Sequence, residues 1–281
     1  MQLQLGNGIT LGCTQAGPQD GRPVVLLHGF PELAYGWRHQ IPALADAGFR
    51  VVAPDQRGYA ESSKPQGVAA YDLDRLAEDV VALVDALGRR TCALVGHDWG
   101  ATVAWWTAAR YPERVERLAV LNAPHPAVWK HAMRHDPVQR RLSWYVRVFR
   151  VPWLPELMMR AGNYKALADA LRGAARKDAF DARDLEVYRT AWRHPGALTA
   201  MVNWYRALLA KDLPEPEREP RIRVPTAIVW GVHDPYAIRD LAERSRALCD
   251  DATLTYLENA THWVQHDEPE RVNELLLAFL G

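Results

Sequence analysis

Cysteine is scarce in this chain: Cys13, Cys92 and Cys249 are the three among 281 residues. They are odd in number, widely spaced and form no CxxC pair, which excludes a disulfide framework and a zinc ribbon. Reduced thiols in a cytoplasm are the expectation. Excess charge is missing too. Lys+Arg and Asp+Glu both total 34, so no bulk field holds nucleic acid or an anionic membrane, and neither is expected as a partner. Long apolar runs are absent; Leu275 to Leu280 falls far short of the roughly 20 residues a membrane helix needs. The first basic residue is Arg22, so the opening lacks the charged region of a secretory signal. No repeat, low-complexity tract, GxGxxG or GxxxxGK motif occurs, which argues against a solenoid and against nucleotide cofactors. Lysine is outnumbered by arginine, 5 to 29, a bias of GC-rich bacterial genomes that carries no chemistry. What is plentiful is apolar: 48% of residues are hydrophobic and 11 are Trp. That suffices for a large core, and the indoles serve either that core or an aromatic pocket.

The first part of the chain alternates between strand and helix patterns. Val24–Leu27, Phe49–Ala53, Thr91–Val95 and Leu118–Leu121 are apolar runs of the kind buried on both faces of a parallel sheet. Between them, Leu33, Trp37, Ile41 and Leu44 recur at helical spacing before Gly48, and Leu73 to Leu87 before Gly88. A third helix is expected from Gly100 to Arg110, and an opening hairpin from Leu3 to Thr14 through Asn7-Gly8. From Pro126 to about Lys211 strand signals vanish, and helical stretches are interrupted by Pro137, Pro152, Pro155 and Pro195. Leu213–Pro220 reads as a charged, proline-rich surface connector. Strands at Thr226–Trp230 and Leu254–Leu257 and helices at Leu241–Leu248 and Pro269–Leu280 then resume the rhythm. The expected fold is α/β: a mainly parallel, helix-covered sheet with an inserted helical cap. Residues 1–125 and 221–281 form a split core, and residues 126–220 the cap and connector.

The third parallel strand runs into Gly96-His-Asp98-Trp-Gly100 and then a helix. This is the pattern of a nucleophile elbow, in which flanking glycines let a sharp turn expose its central residue. A helix-capping Asp is the inert alternative. Partners for Asp98 follow in the order nucleophile, acid, base: Asp234 in Gly231-Val-His-Asp-Pro and His262 in Ala260-Thr-His-Trp, each after a parallel strand. Asn122, at the preceding strand tip, cannot carry charge and is a poorer acid. His131/His135 and His262/His266 have the four-residue spacing of metal pairs but lack an HExxH Glu or an evident third ligand, so no metal is expected. His97, His125 and His233 are expected to pack or to bond loops.

His28-Gly-Phe-Pro-Glu32, Trp37-Arg-His-Gln40, Asp55-Gln-Arg-Gly-Tyr59, the Asp98 elbow, Trp230-Gly-Val-His-Asp234 and His262-Trp263 together resemble the α/β-hydrolase superfamily over essentially the whole chain. The resemblance is greatest to its epoxide hydrolase branch. Ala60 and Ala101 depart from it, standing where that family often has Gly. The resemblance implies backbone oxyanion donors at Phe30 and Trp99, and proton-donating tyrosines at Tyr145 and Tyr205 in Ser143-Trp-Tyr145 and Asn203-Trp-Tyr-Arg206. An aspartate nucleophile fits displacement at saturated carbon, because the resulting alkyl ester can be cleaved by water, whereas serine would leave an inert ether. His262, oriented by Asp234, would activate that water. Epoxides and alkyl halides both suit such a nucleophile. An epoxide oxygen needs O–H donors, and the two tyrosines favour it; a small apolar epoxide and water are the expected partners, with no cofactor. A dehalogenase and a non-catalytic binder of apolar ligands are the alternatives. Oligomeric state is not legible, and a homodimer stays open.

Overall fold

The computed structural model describes residues 1–177 and 179–281. In chain order its strands are β1 Gln2–Gln4, β2 Thr10–Ala16, β3 Pro23–Leu27, β4 Arg50–Pro54, β5 Cys92–His97, β6 Val115–Leu121, β7 Thr226–Gly231 and β8 Ala252–Leu257. They form one eight-stranded sheet in the order β1-β2-β4-β3-β5-β6-β7-β8. The β1/β2 hairpin expected from Asn7-Gly8 is antiparallel and lies at one edge; β3 to β8 are mutually parallel. Alternation along each strand builds two cores. Val25 and Leu27 face one side of the sheet with Leu94 and Val120, while Val24 and Leu26 face the other with Val95 and Leu121.

The core helices are α1 Gln40–Asp46, α2 Leu73–Ala86, α3 Trp99–Arg110, α10 Asp240–Arg246, α11 Val264–Asp267 and α12 Pro269–Leu280; α4 to α9 lie in the cap. The helix expected across Leu33 to Leu44 is divided into a 3-10 turn, Ala34–Trp37, and α1. Pro42 explains the break: its ring would meet the carbonyl of Arg38 in a continuous helix, but it is tolerated in a first turn. Short α11, carrying His266, was not legible from periodicity.

Between β6 and β7 the chain forms the cap: α4 Pro126–His135, α5 Pro137–Leu142, α6 Tyr145–Phe149, α7 Leu154–Ala174, α8 Ala182–Trp192 and α9 Ala197–Ala210. All four prolines fall at breaks between helices, as expected: Pro152 lies between α6 and α7 and Pro195 between α8 and α9. Pro137 and Pro155 start α5 and α7, where no N–H is needed. The break inside α7 is at Gly162, Asn163 and Tyr164, whose φ angles are 57°, 56° and 63°. The connector is also less superficial than expected. Leu213, Pro216 and Glu219 are buried, and Glu219 pairs with Arg110 of α3 at 3.3 Å. Among the described residues no helix is long and apolar enough to cross a membrane.

Cap and core are joined by buried side chains. Trp204 Nε1 donates to Arg57 O (3.1 Å), Trp192 Nε1 to Pro31 O (2.7 Å) and Tyr188 Oη to Glu32 (2.7 Å). Gln139 of α5, fully buried, donates to Tyr236 O (2.8 Å) and Ser143 Oγ (2.8 Å) and accepts from Ile238 N (3.0 Å). It ties the segment before Tyr145 to the loop after β7.

Candidate active site

The tips of β3, β5, β6, β7 and β8 meet at one edge of the sheet, and their loops carry Phe30, Asp98, Asn122, Asp234 and His262. Asp98 sits at φ 50°, ψ −119°, outside the ordinary regions, at a conformational cost of about 1–3 kcal/mol. The elbow forms because its neighbours lack side chains. A Cβ on Gly96 would lie 2.6 Å from Ala101 N, and one on Gly100 would collide with the Leu27 carbonyl. Gly29 is required as well, since its Cβ would come within 2.5 Å of the Asp98 Cβ. Asp98 makes no capping bond to α3; its Oδ1 accepts from Phe30 N at 2.7 Å, so the capping alternative does not hold. Buried His28 shapes the donor loop: Gln56 N donates to His28 Nε2 (3.1 Å), leaving Nδ1 to donate to Gly29 O (2.9 Å). The Phe30–Pro31 peptide is cis.

His262 Nδ1 lies 2.8 Å from Asp234 Oδ2, and its Nε2 faces Asp98 Oδ2 at 3.5 Å. A carboxylate only accepts, so Nδ1 carries the proton of that bond. Asp234 also accepts from Asn122 Nδ2 (2.8 Å), Tyr236 N (2.7 Å) and Ala237 N (3.1 Å). Asn122 is thus a support for the acid. Gly231 lets the two loops approach, since a Cβ there would strike the backbone of Ala260 and Thr261. Burial opposes a charge on His262, but Asp234 and Asp98 outweigh it and raise its pKa to about 10. Burial likewise disfavours a charge on Asp98, yet His262, His97 and the Phe30 N–H hold its pKa below the usual value. The resting pair is therefore ionic.

Among the described residues, two adjoining chambers border Asp98, of about 280 and 60 Å³. Tyr145, Tyr205, Tyr236 and His262 line both. The Tyr145 and Tyr205 rings are 6.0 Å apart, and Tyr205 packs edge-on against Trp99 at 4.8 Å and Phe30 at 5.4 Å. Burial, then nearby charge including Asp98, pushes both phenols above their ordinary pKa. Tyr236, which the sequence reading missed, stands edge-on to the His262 ring at 5.0 Å. No motif marks it beyond its place two residues after Asp234.

Behind His262 lies a second buried network. Glu32 accepts from His266 Nε2 (2.7 Å), Gln265 Nε2 (3.0 Å) and Tyr188 Oη (2.7 Å), while His97 Nε2 contacts His262 O at 2.8 Å. His266 is thereby committed to Glu32. The His131/His135 pair does have a neighbouring third group, contrary to expectation: Glu215, whose Oε2 is 2.6 Å from His131 Nδ1. These three lie on the connector seam, where Arg134 also pairs with Glu215 at 3.2 Å.

A family model described as the alpha/beta hydrolase fold matches residues 22–269. The chain is 43% identical over 275 residues to the AB hydrolase superfamily protein YfhM of Bacillus subtilis, covering 98% of this chain and 95% of that one. It is 37% identical to human epoxide hydrolase 4, over 94% of this chain and 74% of that protein. The crystal structure of a Bacillus megaterium epoxide hydrolase in complex with an inhibitor superposes with a TM-score of 0.91 at 31% identity, covering 100% of this chain and 99% of that one. The chain belongs to the α/β-hydrolase fold family, in its epoxide hydrolase branch.

Proposed function

We propose that the protein hydrolyses epoxides to vicinal diols through an alkyl ester on Asp98. One observation carries the reading: the Asp98 carboxylate accepts from Phe30 N–H, faces His262 Nε2 at 3.5 Å, and shares its cavity with two phenols, Tyr205 buried and Tyr145 half-buried. The epoxide hydrolases among its relatives support the substrate class. In this reading residues 1–125 and 221–281 supply the charged groups, and residues 126–220 supply the phenols.

Asp98 attacks a ring carbon; the C–O bond breaks, and Tyr145 or Tyr205 protonates the leaving oxygen. The negative charge passes from Asp98 to a phenolate. That phenolate and the His262 imidazolium then neutralise each other by proton transfer, because the ester no longer holds the proton on His262. Neutral His262 takes a proton from water as its oxygen attacks the ester carbonyl. The oxyanion is met by the N–H groups of Phe30 and Trp99. On collapse His262 returns its proton to the departing alkoxide, giving the diol, and the carboxyl so formed on Asp98 gives its proton back to His262, restoring the ionic pair. An alkyl halide would need no phenol, so two phenols lining the cavity beside Asp98 favour the epoxide.

A single turnover in heavy-oxygen water tests this. Solvent oxygen should enter Asp98 before it enters the diol. Label found first in the diol means direct attack by water and ends the covalent reading.

A further inference from the structure

We propose that the enzyme selects epoxides by the size of their second substituent. It takes one long or aromatic apolar arm on one ring carbon, with hydrogen or a group of one or two carbons on the other. This deepens the epoxide reading and rests on it. Because Asp98, His262, Tyr145, Tyr205 and Tyr236 line both chambers, the reacting ring sits where the chambers meet. Displacement requires Asp98 on one side of the ring and the phenols beside the departing oxygen. The bond between the ring carbons then lies across that axis, so their substituents diverge, one toward each chamber.

The chambers are unequal. The larger, about 280 Å³, is walled by Phe149, Leu167, Met158 and Met159, and thioethers adapt to arms of different shape. Its rim is open and apolar. Trp144 and Met158 border it with 61% and 48% of their surface exposed, so an arm longer than the chamber can run outward along them. The smaller, about 60 Å³, lies against Thr102, Asn122, Ala123, Pro124, Trp129 and Leu208. At roughly 10–15 Å³ per water-sized group it takes on the order of four, and the water that cleaves the ester needs a place beside His262. Room remains for a hydrogen or a very short substituent. Its wall is fixed in place: Trp105 Nε1 donates to Ala123 O at 3.1 Å, and His125 N to Ser245 Oγ at 2.9 Å, both buried. On that side a bulky second arm meets backbone held in place.

The test compares two isomers of equal mass and hydrophobicity: the terminal oxide of straight-chain dodecene and the trans oxide of its central-alkene isomer. We expect kcat/KM to favour the terminal oxide by at least about 100-fold, the discrimination a few excluded methylenes produce. Trp129→Ala, on the half-buried outer wall, should cut that ratio by at least about tenfold. Leu208→Val, which also lines the small chamber, should move it the same way, so the trend does not hang on one variant's folding. Val148→Phe in the large chamber should lower turnover of the terminal oxide. A parent enzyme that opens both isomers within about threefold overturns the selectivity. So does a ratio unmoved in both small-chamber variants while their melting temperatures stay near the parent's. The epoxide reading fails separately: neither oxide would then yield an ester on Asp98, whatever its shape.

Discussion

Replacing Tyr145 and Tyr205 by Phe removes two hydroxyls while leaving the rings in place. Edge-on packing against Phe149, at 5.6 and 4.8 Å, survives, so the change is chemical more than structural. Both phenols line the cavity beside Asp98, Tyr205 buried and Tyr145 half-buried, and desolvation together with the Asp98 charge makes either phenolate unfavourable in the resting enzyme. In the proposed mechanism, ring opening removes the Asp98 charge in the same step that asks a phenol for its proton. Donor strength thus rises when it is needed. Losing one positioned donor where charge develops costs on the order of 10²–10³ in rate. If the two act on the same oxygen independently, losing both costs roughly 10⁴–10⁶, or about 5–8 kcal/mol of barrier. The assay is ester formation on Asp98, followed by intact mass in a His262→Gln background where the ester should accumulate. Each single variant should slow the mass shift by about 10²–10³, and the double variant should show none on the parent's time scale. A bromoalkane should alkylate the parent and the double variant at similar rates. Epoxide alkylation within about tenfold of the parent in the double variant would refute the role assigned to the phenols.

His262→Gln alone should trap an added mass that Asp98→Ala does not acquire; turnover at the parent rate would mean that another base serves. Asp98→Asn removes one of the carboxylates that raise the His262 pKa to about 10, so NMR titration should find a lower value; an unchanged one would break the proposed coupling between ester formation and base. Because the folded pKa exceeds the ordinary 6.5, the stabilisation from His262 is full below that pH and fades as pH rises through about 10. The melting-temperature gap between parent and His262→Gln should shrink accordingly, and a gap that widens with pH would contradict the sign. Gly100→Ala should fail to fold or lose more than about 3 kcal/mol in denaturant titration, because the added methyl meets backbone that cannot move aside. Gln139→Leu should cost about 2–4 kcal/mol by stranding Ile238 N–H and Tyr236 C=O.

The sheet was legible because buried parallel strands are short apolar runs, and the elbow because its glycines are dictated by contacts within a few residues. Asp234 and His262 were legible for a related reason: each closes a strand whose own pattern is strong. The groups that escaped are set by distant pairing. Gln139 meets Ile238 across 99 positions, and Glu32 meets His266 across 234; neither spacing leaves a periodic trace. Tyr236 escaped because its place in the cavity wall depends on which way a loop turns after Asp234. The α7 break escaped for another reason. Gly162 and Asn163 tolerate left-handed backbone, but Tyr164 has no such preference of its own, so the break leaves no local signature beyond Gly162.

The Gln139 tie has a mechanical consequence. It fixes the approach to Tyr145 to the loop that holds Asp234, while Trp192 and Trp204 fasten α8 and α9 to the core. The first half of α7 is fastened otherwise: Glu156 bonds Arg206, and Asn163 bonds Arg189 and Arg193, all within the cap. Widening of the mouth should therefore travel through Trp153 to Tyr164, with the broken middle of α7 as the flexing point. On this arrangement the phenols should stay in register with Asp234 while the mouth widens. Amide exchange should read this as early opening along that stretch and late opening at Ile238, a division of labour between a yielding rim and an unyielding floor.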